Sequence, residues 1–475
     1  MWQFFVKKHY FYKVFCFTVM RKSTILLLLF FPLLLAAQQA GSIKRSIDRL
    51  LNDALLQTSD ASVMVYDLDA DSLLYAHREH KIVRPASVQK VLTSVVALEK
   101  LGVEYTMDTE LFKERRNGSC NLYVKGRMDP LFNDKDMAAM AKMAGKGMVV
   151  DTLFADCSFT DSLYWGSGWI WDDNPYGFQP YLSPLMVCGG AVEVVVKPAS
   201  KGKAPHFKVT PESSFYSVVN EARSKTPALG KLTILRDWLE DSNLIRIRGN
   251  CENEYKEKIN MYKSADFFLA MLVEKLKAEG VEVKAVAFGK VPNGAQLVHT
   301  VRRPLADVVD EALMESDNLC AEAMLFHIAA TVNSAPLSME QGCKVIAGFA
   351  DKQLGASKGY NIADGSGLST YNYLSADILM RALKYAHSDK EIFNVIFKHL
   401  PLSGVSGTMQ HRTKETAAYK RVRAKTGTVR GVCTLAGYAV ASNGHKLAFV
   451  ILNSGSQKSS PVRKWQDKIL EILCK

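Results

Sequence analysis

Three short runs hold the residues best suited to chemistry: Ser87-Val88-Gln89-Lys90, Ser316-Asp317-Asn318 and Lys425-Thr426-Gly427. A serine hydroxyl is a poor nucleophile at neutral pH and needs a neighbouring base. Lys90 stands three positions after Ser87, one turn away on the same side of a helix. The apolar spacing of Val91, Leu92, Val95, Val96, Leu98 and Leu101 predicts that helix, with Gly102 as its stop. Arg84-Pro85-Ala86 leads in, so Ser87 falls near the helix N-terminus, where backbone N–H groups and the dipole favour a developing oxyanion. A lysine is a base only when neutral. Burial and a second positive charge, for which Lys425 is the candidate, bring its pKa down from about 10.4 towards 7–8.

Helical patterns before and after Ser316-Asp317-Asn318 put that motif at a helix–helix junction. Ser316 can there pass a proton between Lys90 and a leaving nitrogen, and Asn318 can hydrogen-bond a substrate amide. Read alone, the same triplet is an ordinary helix cap. Arg421-Val422-Arg423-Ala424 reads as a strand entering Lys425-Thr426-Gly427. Lys425 and Thr426 offer a cation and a hydroxyl to a terminal carboxylate. Gly427 lets a substrate lie close to the strand, and the N–H of Thr428 can join that of Ser87 as an oxyanion hole. Each motif is weak by itself; Ser200-Lys201-Gly202-Lys203 also spells S-x-x-K and reads as a polar loop. All three in this order match the set of serine acyl-transferases that act on penicillin-like substrates.

From about residue 60 to its end the chain resembles the DacB-like D-alanyl-D-alanine carboxypeptidase/endopeptidases, class C low-molecular-mass penicillin-binding proteins. The resemblance rests on Ala61 to Asp67, Leu74-Tyr75, Arg84 to Ser87, Gly126 to Pro130, Asp364-Gly365-Ser366-Gly367-Leu368-Ser369, Arg421 to Gly427 and Leu435 to Tyr438. It implies an α+β, penicillin-binding/β-lactamase-like transpeptidase fold, an antiparallel sheet covered by helices, with inserted β-rich subdomains. It also implies hydrolysis of peptidoglycan stem peptides through an acyl-enzyme on Ser87, covalent inhibition by β-lactam antibiotics, and no cofactor. Trp169-Ile170-Trp171-Asp172-Asp173 and Phe178 resemble a family tract in which Asp173 faces the free amine of a diamino acid and Phe178 packs beside its stem. The tract after it, Tyr181 to Pro184 and Cys188 to Gly190, departs from the family. The 229 positions between Ser87 and Ser316 exceed what a single-domain β-lactamase leaves there. A β-lactamase or esterase on the same scaffold, and a non-catalytic wall-binding protein, remain the alternatives.

The chain has 475 residues, enough for roughly two to four domains. Arg21-Lys22, an apolar run from Ile25 to Leu35 and Ala36-Ala37-Gln38 read as a secretory signal peptide over 1–37, with Met20 as the natural start and 1–19 as a mis-called extension. The run is short for a membrane span. Export to the periplasm follows. The net charge is +12, of which residues 1–37 supply five positive charges and no acid. The mildly basic remainder suits peripheral association with an anionic membrane surface or wall polymer; no basic stripe points to nucleic acid. The nine cysteines have no paired C-x-x-C spacing and read as core thiols, with one or two disulfides the alternative in an exported chain; the histidines form no metal motif. Cys320 and Cys433 stand close enough to the motifs to line the site wall. The expected organisation is a catalytic domain in two parts, 38–103 and 298–475, around a β-rich insertion of two subdomains over 104–297.

Overall fold

The computed structural model describes residues 41–475, apart from Asn117 and Ser357; the signal-peptide reading lies outside the described residues. The catalytic sheet has five strands in the order Val422–Val429, Val432–Val440, Lys446–Ser454, Asp60–Asp67, Ser72–His77, antiparallel throughout. Consecutive strands form three hairpins, the last turning at Ser442-Asn443-Gly444 with Gly444 at φ 88°. Alternate residues of a strand face opposite sides. Leu435, Ala439, Phe449 and Ile451 enter one core with Ile47 and with Trp465 of the closing helix Ser459–Cys474. Ala436, Tyr438, Ala448, Val450 and Leu452 enter a second core beneath the other helices. With both faces covered, these strands read as nearly unbroken apolar runs.

The second core surrounds Asn318–Ala330, a helix whose residues from Asn318 to Ala329 are all buried. A helix without a polar face must lie at the centre of its layer. Gln89–Leu101, Leu305–Met314 and Met339–Lys352 pack against it, and Ala376–Ser388 packs on Gln89–Leu101 and the sheet.

Between Leu101 and Leu305 the chain builds a second five-stranded sheet, ordered Glu282–Phe288, Val149–Asp156, Ser119–Gly126, Thr106–Arg116, Gln296–Pro304. Its first three strands are parallel, which requires crossovers. The helices Asp134–Ala144 and Ser264–Ala278 provide them. The first was not apparent in the sequence; an Asn133/Asp136 capping box starts it. Smaller sheets, including Ala191–Lys197 with His206–Thr210 and Tyr255–Asn260, share this region's own core. The segment from Cys157 to Val187, held by turns rather than strands, reaches back to the catalytic helices. Among the described residues no helix is long and apolar enough to cross a membrane.

Candidate active site

Ser87 lies in a 3-10 turn, Ala86–Val88, directly before the helix that carries Lys90. Thr434 on the neighbouring strand donates from Oγ1 to the Pro85 carbonyl at 2.7 Å, tying this turn to the sheet. The turn packs so closely on the Lys425 strand that a Cβ at Gly427 would stand 2.9 Å from the Ser87 nitrogen and 2.2 Å from Thr434 Oγ1. Glycine is therefore required at 427 by the approach of the nucleophile turn, a reason separate from room for substrate.

Lys90 is 0% exposed. Its Nζ lies 3.1 Å from Ser87 Oγ, 2.6 Å from Asn318 Oδ1 and 2.9 Å from the Ser366 carbonyl. Asn318 Nδ2 donates to the Phe178 carbonyl at 2.8 Å, which fixes the orientation of the amide. The two oxygens that Lys90 meets beside Ser87 can only accept. A neutral Lys90 must give its two N–H groups to them, leaving its lone pair directed at the Ser87 hydroxyl. Burial pulls the Lys90 ammonium down to about 8, against the opposing pull of Asp364 and Glu322.

Lys425 is equally buried, and its Nζ donates to Ser316 Oγ at 2.8 Å and to the Thr426 carbonyl at 2.8 Å. Burial first, then the charge of Lys90, pushes Lys425 well below the ordinary lysine range. Ser316, at φ 66°, ends the turn between two helices, and Asp317 caps the second by accepting from the Cys320 N–H at 2.8 Å. The helix-cap reading thus holds for Asp317, while the adjacent Ser316 faces Lys425. Ser316 meets Lys425 here, whereas the sequence suggested a link to Lys90.

The model of the D-Ala-D-Ala carboxypeptidase 3 (S13) family matches residues 43–474. The chain belongs to this family. It is 30% identical to a D-alanyl-D-alanine carboxypeptidase of Actinomadura sp. (strain R39), over 88% of this chain and 82% of that one. With D-alanyl-D-alanine carboxypeptidase DacB of Haemophilus influenzae it shares 25% identity, over 85% and 87% of the two chains. The crystal structure of penicillin binding protein 4 (dacB) from Haemophilus influenzae has the same fold: TM-score 0.76, 22% identity, 87% of this chain and 97% of that one. The protein's class is that of the serine D-Ala-D-Ala carboxypeptidases, and the expected fold is the observed one.

In this S13 enzyme a cleft of about 380 Å³ is lined by Ser87, Ser316, Asn318 and Thr428, and also by Asp173 and Phe178. Asp173 is raised by partial burial and by Asp172, against Arg430, which also lines the cleft. Phe178 stacks on Tyr176 at 5.7 Å. Thr426 points elsewhere, donating to Thr408 Oγ1 at 2.8 Å. Cys320 and Cys433 are buried and do not line the cleft. Cys320 faces into the helical core, and Cys433 Sγ lies 4.0 Å from Gln466 Oε1.

Several supports escaped sequence reasoning. Asp364 is fully buried and accepts from Trp169 Nε1 (3.0 Å), Ser369 N (2.6 Å), Gly367 N (2.7 Å) and Asn372 Nδ2 (2.7 Å). It locks the Asp364–Ser369 loop to the inserted region. The D-G-S-G-L-S pattern pointed to this loop but gave no role for its acid. Trp171, beside the cleft and 65% exposed, meets Trp238 at 4.5 Å.

Proposed function

We propose that this protein is an exported, periplasmic enzyme that trims peptidoglycan stem peptides by removing the terminal D-alanine, and that it also cuts D-Ala-to-diamino-acid cross-links. The Ser87 hydroxyl gives its proton to Lys90 while Oγ bonds to the D-Ala carbonyl carbon. The N–H groups of Ser87 and Thr428 receive the oxyanion. As the C–N bond breaks, the Ser316 hydroxyl protonates the leaving amine and is refilled by Lys425. Water then bonds to the ester carbonyl carbon and gives up a proton that returns through Ser316 to Lys425; as the ester C–O bond breaks, Lys90 hands its proton back to Ser87, and the shortened peptide leaves. Asn318 holds Lys90 through Oδ1 and keeps a second N–H for the substrate amide. Lys425 supplies the positive charge that attracts the terminal carboxylate, while Asp173 and Phe178 seat the diamino-acid side chain. β-Lactams enter the same path and stop at the acyl-enzyme. A mildly basic surface supports peripheral association with wall or membrane.

The observation that carries this reading is the placement of Lys90 Nζ 3.1 Å from Ser87 Oγ, with its other two partners oxygens that can only accept. It favours a working nucleophile over a non-catalytic wall-binding protein. Intact-protein mass spectrometry after penicillin treatment tests it. One stable adduct on the wild type and none on Ser87→Ala is expected. An intact drug with no adduct would sink the enzymatic reading; a consumed drug with no adduct would favour a β-lactamase.

A further inference from the structure

Glu322 lies on the central helix one turn after Asn318 and is 0% exposed. Its carboxylate accepts from two successive backbone amides, Gly365 N through Oε2 and Ser366 N through Oε1, each at 2.9 Å. The opposite edge of that loop faces the nucleophile helix. The Asp364 carbonyl accepts from Gln89 Nε2, Gly365 O from Thr93 Oγ1 at 2.6 Å, and Ser366 O from Lys90 Nζ at 2.9 Å. The loop is thus a thin layer of peptide groups clamped between Glu322 and Lys90. Neither side leaves slack: a Cβ at Gly365 would stand 2.5 Å from the Ala321 carbonyl, and one at Gly367 2.0 Å from that of Ala86.

We infer that Glu322 is the positioning residue of the S13 reaction in this chain: it aims the Ser366 carbonyl at Lys90, and through it the lysine lone pair at Ser87. The inference rests on the proposed Ser87–Lys90 mechanism. Two amide donors on separate oxygens suit an ionised carboxylate, as does Lys90 across the loop. Burial and the Asp364 charge raise Glu322 above the ordinary carboxylate range, and those two amides and Lys90 offset the rise only in part, so its charge acts on the upper part of the pH range. The titratable groups facing Lys90 are Ser87, Asp364, Glu322, Asp317, Cys320 and Lys425; those facing Glu322 are Asp364, Lys90 and Cys343. Glu322 therefore has two separable effects, one through geometry and one through its charge.

The rate of penicillin acylation, followed against pH by mass spectrometry, separates them. Glu322→Gln removes the charge, so the limb on which the rate rises with pH should move down by about one pH unit, with a plateau lowered at least about tenfold as the carbonyl loosens. Glu322→Asp keeps the charge but cannot span both amides: the limb should stay in place while the plateau falls. A glutamine variant that loses rate evenly at every pH would show a merely structural role and overturn the inference. So would an aspartate variant with an unchanged plateau, which serves as the test if the glutamine variant does not fold. A wild type that is not acylated at Ser87 would instead refute the mechanism beneath it.

Discussion

The surroundings of Lys90 suit a lysine to the work of a base. Lys90 has three hydrogen-bond partners among the described residues, two of which can only accept, so deprotonation removes its charge and creates a lone pair that faces the third, Ser87 Oγ. With its pKa pulled down to about 8 by burial, roughly a tenth of the molecules hold it neutral at pH 7. The sign follows: lowering pH protonates the base, so acylation should fall about tenfold per unit below pH 7 and level off above about 9. Stopped-flow acylation by a chromogenic penicillin over pH 5.5–10 measures this; a flat profile would exclude Lys90 as the base. The residue types and the order of the three motifs were legible in the sequence. That Ser316 pairs with Lys425, and that Asn318 uses one end of its amide on Lys90 and the other on Phe178, was not. Those choices depend on groups 109 to 228 positions away along the chain.

At the level of elements, the site is made by close approach of four pieces: the nucleophile turn, the central helix, the Lys425 strand and the Asp364–Ser369 loop. Gly367, at φ 83°, lies where the loop touches the turn. Gly367→Ala combines a left-handed backbone with a Cβ 2.0 Å from a carbonyl oxygen. It should cost on the order of 3 kcal/mol and slow acylation in whatever folds, measured by thermal melting and by adduct formation. Amphipathic spacing showed the helix that carries Lys90, and Arg421 to Ala424 showed the strand that enters Lys425-Thr426-Gly427, because those signals are local. The helix Asp134–Ala144 was missed: its Met and Ala residues bury a short stripe under the second sheet, too weak a pattern to stand out.

On the scale of the molecule, the catalytic sheet separates two cores, one under the site helices and one under the closing helix. Trp465 is 2% exposed in the second core and donates from Nε1 to the Leu50 carbonyl at 2.9 Å. Trp465→Ala should lower stability by about 3–5 kcal/mol, seen as a large fall in Tm. Acylation by the fraction still folded should be preserved, because the site lies on the other side of the sheet; a selective loss of acylation would contradict that separation. The sequence by itself determined the candidate nucleophile and base, the motif order and the strand and helix classes near them, since propensity, period and spacing are short-range properties. Tertiary structure alone decided which acceptors surround Lys90, that Glu322 and Asp364 back the loop behind it, and that the inserted region sends Asp173 and Phe178 into the cleft. Those outcomes arise from burial: removing these polar groups from water obliges each to find a partner wherever the fold brings one.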